Sequence, residues 1–309
     1  MQAMQAAAGN AAVAQLAAGG WRGGSAGPQM IQRVARAGAP GRTVQRVAEE
    51  GTGGHGGMEM RAEGRVIGKP TNEVERNFYG DMRAGKHPAL EGVAPTSYTA
   101  DQVQQMDGKA GDDSTHIYIE NLTHGMAKPK LLDIKVGEST ASRHELLESM
   151  SKVDAWKKKM KLKVADFVTG SASRGYRAVG GTGLKGKSRR QIGQQSGKIV
   201  DDFAEESSLS AVLVEKLEHV RAAAKSSGLA FIAASVLIAV DEEPAEGSSA
   251  ASAKLNLIDF AHTFGPERLG AEQVKKYQDR FDQGMAGLIA AVKAAGAAKA
   301  PQAGQSIPT

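Results

Sequence analysis

Pro129-Lys130-Leu131-Leu132-Asp133-Ile134-Lys135-Val136-Gly137 is the stretch on which the reading of this chain turns. It is rich in large aliphatic residues and stops at a glycine, so it predicts a strand over Leu131–Val136. Side chains on a strand alternate faces. Leu132, Ile134 and Val136 therefore point one way, while Asp133 and Lys135 stand side by side on the other. An apolar face backed by a carboxylate and an ammonium group suits the wall of a cleft. A surface ion pair on a half-exposed strand, worth little, gives the same pattern.

Three other stretches carry chemistry. Leu255-Asn256-Leu257-Ile258-Asp259-Phe260-Ala261-His262-Thr263 ends an apolar strand on a carboxylate. That carboxylate is costly to bury unless a cation or strong donors meet it. Mg²⁺ is one such partner and a helix or turn cap is another. Val66-Ile67-Gly68-Lys69-Pro70 places a lysine between a strand and a helix, where it could hold nucleotide phosphates or stand exposed in solvent. Gly181-Thr182-Gly183-Leu184-Lys185-Gly186-Lys187-Ser188 fits G-x-x-x-x-G-K-S, and Val236–Val240 followed by Asp241-Glu242 fits the apolar strand that often accompanies it. There backbone amides would cradle phosphates, with Lys187 on the terminal ones and Ser188 on Mg²⁺. The context argues against that P-loop reading: glycines at 193 and 197 interrupt the helix that should follow, and the chain left after Ser188 is short for a parallel sheet.

Around these motifs the pattern is mixed α/β. Helical spacing predicts helices over residues 71–84, 141–164, 199–226 and 273–294. Ile117–Ile119, Phe231–Val240 and Leu255–Phe260 are expected as strands, and the Gly/Ser-rich stretches 180–198 and 241–253 as exposed loops. The helix 141–164 carries Lys152, Lys157, Lys158, Lys159, Lys161 and Lys163, which form either a wall for an anion or a solvated face. With 309 residues there is room for one large or two modest cores. Absence of cysteine excludes disulfides, zinc ribbons, iron–sulfur ligation and thiol nucleophiles. The apolar run Leu229–Val240 is interrupted by Ser235 and falls short of the about 20 residues a spanning helix needs, so no integral membrane segment is expected. A net charge of +5 allows an anionic partner without requiring nucleic acid, and none is expected. Residues 1–57 hold 13 of the 38 glycines and no acid before Glu49. So little large apolar surface cannot offset the entropy of ordering, and a disordered leader is expected there. Residues 296–309 are expected to be a loose tail.

Taken in order, these segments resemble the inositol polyphosphate kinase family. Its P-x-x-x-D-x-K-x-G motif is met by Pro129, Asp133, Lys135 and Gly137. Gly53-Gly54-His55 resembles its Gly-His entry, and Lys69-Pro70 with Glu75, Phe78 and Tyr79 its K-P…E-x-x-F-Y element. Glu120-Asn121-Leu122-Thr123 stands where its hinge leads into the main motif. Ser171…Gly175-Tyr176-Arg177 resembles S-x-x-x-G-F-R, and Ile258–Thr263 matches I-D-F-A-H/K-T. Asp279, Phe281, Gly284 and Leu288-Ile289 resemble the final helix. Two stretches depart from the pattern: Ala234-Ser235-Val236-Leu237 is a degraded S-S-L-L, and Glu138-Ser139-Thr140 replaces a threonine- and arginine-containing stretch.

The resemblance implies an α+β, two-lobed fold akin to protein kinases and ATP-grasp enzymes. Residues 58–120 would form the first lobe. Residues 121–295 would form the second, with 141–164 as an inserted substrate-binding helix. It implies an ATP- and Mg²⁺-dependent kinase acting on inositol polyphosphates. Lys69 would contact ATP phosphates, Glu120 and Leu122 would offer backbone groups to adenine, and Asn121 would meet the ribose. Asp259 would hold Mg²⁺, Asp133 would orient or deprotonate the attacking hydroxyl, and Lys135 would bind substrate and the moving phosphoryl group. Lys152, Lys157, Lys158, Lys159, Arg177 and His262 would line the substrate side. A monomer in the cytoplasm is expected. The rival expectations are a catalytically weak inositol phosphate-binding effector, delivered to a target cell through the leader, and the P-loop NTPase.

Overall fold

The alternation that predicts a strand at Leu131–Val136 holds in the computed structural model, which describes residues 57–137, 174–206, 209–243 and 253–299. The leader, the lysine-bearing stretch 141–164 with Lys152, Lys157, Lys158 and Lys159, and residues 300–309 lie outside the described residues, as does His55, while residues 296–299 of the expected loose tail are instead helical.

The chain opens with β1 (Glu59–Arg61) and β2 (Val66–Pro70), then α1 (Glu73–Arg83), β3 (Ser97–Tyr98), α2 (Ala100–Asp107) and β4 (His116–Glu120). These strands form one antiparallel sheet in the order β1-β2-β4-β3. Helix α1 starts where the Asn72 side chain accepts the Glu75 amide, and it carries Glu73 and Glu75 in its first turn and Arg83 in its last. Cap and charges both agree with the helix dipole. One face of the sheet packs Val66 and Tyr118 onto Val103 of α2. The other face turns Ile117 toward the main core, beside Phe78 and Tyr79 of α1.

Next come β5 (Pro129–Val136), β6 (Tyr176–Gly181), α3 (Arg189–Gln194), α4 (Ser196–Glu206), α5 (Ser210–Ser226), β7 (Ala230–Phe231), β8 (Ser235–Asp241) and β9 (Ala253–Ile258). A 3-10 turn (Phe260–His262), β10 (Thr263–Phe264), α6 (Pro266–Leu269) and α7 (Ala271–Lys299) complete the order. Four of these strands form a second antiparallel sheet, β6-β5-β8-β9, and β7 pairs with β10. Leu132, Ile134 and Val136 face the main core with Val236 and Ile238 of the neighbouring strand. Against that face lie α5 and α7, through Leu213, Leu217 and Val220 on one and Phe281, Met285, Leu288 and Val292 on the other.

Three expectations are corrected. The helix expected over 199–226 is two, α4 ending at Glu206 and α5 starting at Ser210. The strand expected over Phe231–Val240 is also two, because Ala233 takes a left-handed φ of 58° between them. The stretch 180–198 is not all loop, since Ser188 and Gln191 form a reciprocal capping box that starts α3. Among the described residues, no helix is long and apolar enough to cross a membrane.

Two glycines fix how the second sheet meets α7. Gly137 ends β5 at φ +94° and donates its amide to Gly175 O at 2.8 Å. A Cβ on Gly284 would sit 2.2 Å from Gly175 O, so backbone meets backbone there.

Candidate active site

The face of β5 turned away from the main core carries Leu131, Asp133 and Lys135, and β8 sets Ala239, Leu237 and Ser235 directly beside them. Leu131, Leu237 and Ala239 join Leu122 and Met126 in a small apolar cluster near the hinge. Farther along the same face the character turns ionic, where Lys69 arrives from β2 and Asp259 from the end of β9.

Both oxygens of Asp259 are engaged: Oδ1 accepts from Lys69 Nζ at 2.8 Å and Oδ2 from Lys135 Nζ at 3.2 Å. Burial alone would raise the Asp259 pKa, but the charges of Lys69 and Lys135 outweigh it and hold it at about 2. The two lysines thus favour the ionised carboxylate. Asp259 has a left-handed backbone, φ 65° and ψ 62°, a region an aspartate enters more readily than most residues. This turn swings its side chain off the strand and into the cleft, where it is one-third exposed.

Lys135 uses all three of its donors. Besides Asp259, they reach Ala233 O at 2.7 Å and Ser235 Oγ at 3.3 Å. Lys69 also donates to Glu75 Oε1 at 3.2 Å. Desolvation opposes its charge, yet Asp259 and then Glu75 raise its pKa above the ordinary lysine value.

Asp133 differs from the other ions. It is buried, and its Oδ1 has no hydrogen-bond partner. Burial, reinforced by the negative charge of Asp259, pushes its pKa up to about 6, against the pull of Lys135 and Lys69. A buried acceptor with no donor is costly, and such groups cluster where a ligand supplies the donor.

The remaining expected residues fall in three groups. Arg177 stands directly across from Lys135 in the β5–β6 register, so it shares the cleft face. His262 closes the 3-10 turn after Asp259, with its carbonyl accepting the Ile232 amide. Of the hinge residues, Asn121 is placed differently from the expectation. Asn121 is 3% exposed, with its Oδ1 accepting from the amide and hydroxyl of Thr123 and its Nδ2 donating to Gly64 O at 2.7 Å. It bolts the hinge to the first sheet instead of presenting its amide to the cleft. The Glu120 amide is spent on Thr96 O, which leaves its carbonyl as the group it can offer, while the Leu122 side chain sits in the apolar cluster.

The P-loop expectation is overturned by the same geometry. The sheet bearing Gly181 is antiparallel. Ser188 is committed to its capping box, and Lys187 donates to Gln195. Asp241 accepts the amides of Ala127 and Lys128, a structural clasp on the hinge.

The sequence model of one family, inositol polyphosphate kinase, matches residues 116–293. This chain belongs to the inositol polyphosphate kinase family. No curated protein matches it at a significant level. Among solved structures, the inositol phosphate multikinase Ipk2 of S. cerevisiae, in complex with ADP and Mn²⁺, is similar with a TM-score of 0.55 and 18% identity, over 75% of this chain and 99% of that one. A second inositol phosphate multikinase structure gives 0.50 and 17%, over 72% and 99%. At such identities the likeness speaks to the fold, which is the two-lobed kinase-like fold of that family.

Within this family frame, sequence reasoning left two residues of the cluster without a role. Glu75 is 1% exposed and grips Lys69, the Thr71 hydroxyl and the Phe260 amide. Ser235 is fully buried under Lys135. Both sit in stretches that carry the resemblance, and a buried acid on an otherwise apolar helix face was the available signal for Glu75.

Proposed function

We propose that this chain transfers the terminal phosphoryl group of ATP, with Mg²⁺, to a hydroxyl of an inositol polyphosphate. One observation carries the reading: two lysines and two aspartates, from β2, β5 and the end of β9 in two sheets, converge on one cleft, with Lys69 and Lys135 on the two oxygens of Asp259 and Asp133 buried beside them. Phosphoryl transfer needs little covalent chemistry from the protein and rests on positioning and charge.

The apolar cluster of Leu122, Met126, Leu131, Leu237 and Ala239 suits the flat face of a base, with the Glu120 carbonyl as an acceptor at the hinge. Lys69 is held to meet phosphate oxygens. The donor set fits a hard divalent cation, because carboxylate oxygens are present at Asp259 and at Asp133, whose Oδ1 has no hydrogen-bond partner. Asp259 would hold such a cation, which would supply positive charge against that of the phosphates. Asp133 accepts the proton of the attacking hydroxyl at its free Oδ1. Lys135, pinned by Ala233, Ser235 and Asp259, supplies a fixed positive charge beside the bond that forms. Arg177 and His262, with Lys152, Lys157, Lys158 and Lys159, are the residues we assign to the anionic ring.

The test is a panel of inositol phosphates with labelled ATP, followed by NMR of any product. Asp133→Ala and Asp259→Asn are expected to abolish turnover, and Lys187→Ala to leave it intact. Salt-sensitive binding of an inositol phosphate with no ATP consumption would replace the kinase reading with a binding one.

A further inference from the structure

Glu75 lies in the first sheet's helix, 185 residues from Phe260 in sequence, yet its Oε1 accepts the Phe260 backbone amide at 3.1 Å. That amide belongs to the peptide immediately after Asp259, whose left-handed backbone throws the carboxylate into the cleft. The same oxygen accepts from Lys69, which also binds Asp259 Oδ1. Two further contacts tie α1 to this turn. Asn72 Nδ2 donates to Ala261 O at 3.3 Å, and the Phe78 ring stacks on Phe260 with centroids 4.1 Å apart. One buried acid thus closes a ring of Glu75, Lys69, Asp259 and the Phe260 amide across the two lobes.

Resting on the function proposed above, we propose that Glu75 is a positioning residue: through the Phe260 amide it fixes the left-handed turn that aims Asp259, and so sets the affinity of the site for its divalent cation. The turn has no side-chain cap of its own. The Glu75 contact therefore replaces a local capping group with one from the other lobe, and it makes cation affinity depend on how α1 is seated.

The charge and the hydrogen bond of Glu75 can be separated. Glu75→Gln keeps an oxygen for the Phe260 amide and a nitrogen that can donate to Thr71 Oγ1, but loses the charge facing Lys69. Glu75→Asp keeps the charge and retracts the carboxyl by one methylene from the amide. Glu75→Ala removes both. Mn²⁺ binding to the full chain with saturating ADP, followed by electron paramagnetic resonance, reads the effect without turnover. The expected result is an affinity for Glu75→Gln within about threefold of wild type, and losses of about tenfold or more in Glu75→Ala and Glu75→Asp, the range found for residues that orient metal ligands. If Glu75→Ala fails to fold, as thermal unfolding will show, Glu75→Asp decides alone. Wild-type affinity in a folded Glu75→Asp overturns the proposal. A loss in Glu75→Gln as large as in Glu75→Asp also overturns it, because the effect then belongs to the charge on Lys69. Failure of the wild type to retain Mn²⁺ with ADP overturns the kinase reading itself and this inference with it.

Discussion

Asp133→Asn is expected to stabilise the protein at neutral pH while reducing turnover to a small residual activity. In the folded chain burial, and then the neighbouring Asp259, lift the Asp133 pKa from 3.8 to about 6. Each unit of pKa is about 1.4 kcal/mol, so carrying this carboxylate ionised at pH 7.5 costs the fold about 3 kcal/mol. The sign follows from proton binding. The folded state holds the proton more tightly than the unfolded chain, so the penalty is fully present above about 6 and vanishes below 3.8. Asparagine has the shape of the neutral acid and cannot ionise, so it escapes the penalty at every pH. Urea unfolding of both proteins between pH 4 and 8 measures the difference. The gap should be about 3 kcal/mol at pH 7.5, shrink through pH 6 and 5, and approach zero near pH 4. A gap that is constant across this range, or an asparagine variant less stable at pH 7.5 than at pH 4 relative to wild type, would refute the reasoning.

Asp259→Asn removes the charge that both lysines bind, and turnover should fall by at least about 10²-fold in the labelled-ATP assay. Asn121→Ala leaves Gly64 O and the Thr123 amide without partners, so urea unfolding should show a loss of about 2–3 kcal/mol while KM for ATP barely moves. A large rise in KM with unchanged stability would instead return Asn121 to the ribose. Gly284→Ala drives a methyl group into Gly175 O and should cost about 1–3 kcal/mol by the same method.

Local chemistry made β5 legible. Its two faces differ in polarity residue by residue, and the structure keeps Leu132, Ile134 and Val136 inside with Asp133 and Lys135 on the cleft side. The same was true of the long C-terminal helix, whose Phe281, Met285, Leu288 and Val292 recur at helical spacing. Other local signals were present but outweighed. Asn121 followed two residues later by Thr123 is an Asx-turn pattern, and the structure forms that bond. Ser188 with Gln191 is a capping box inside what otherwise looked like a phosphate loop. What no local pattern carries is convergence. Lys69 and Asp259 are 190 residues apart, and Glu75 meets the Phe260 amide across 185. Motif order suggested that these residues share a cleft, but only the packing of α1 on the 3-10 turn shows which group holds which.

The ionic cluster also fixes how activity should depend on pH. Asp259, kept at about 2 by Lys69 and Lys135 against its own burial, does not titrate in the working range. Lys69 is raised above the ordinary lysine value and stays charged throughout. Asp133 alone among these carboxylates has been moved toward neutrality, and its free Oδ1 accepts a proton only when ionised. kcat/KM, which reports the free enzyme, should therefore fall on the acid side with one inflection near pH 6 and a slope of one decade per unit. The inflection should disappear from the residual activity of Asp133→Asn. The neutral amide cannot act as a base, so a mutant that retains the same acid limb would assign the titration to the inositol phosphate or the nucleotide and remove Asp133 from the proton's path.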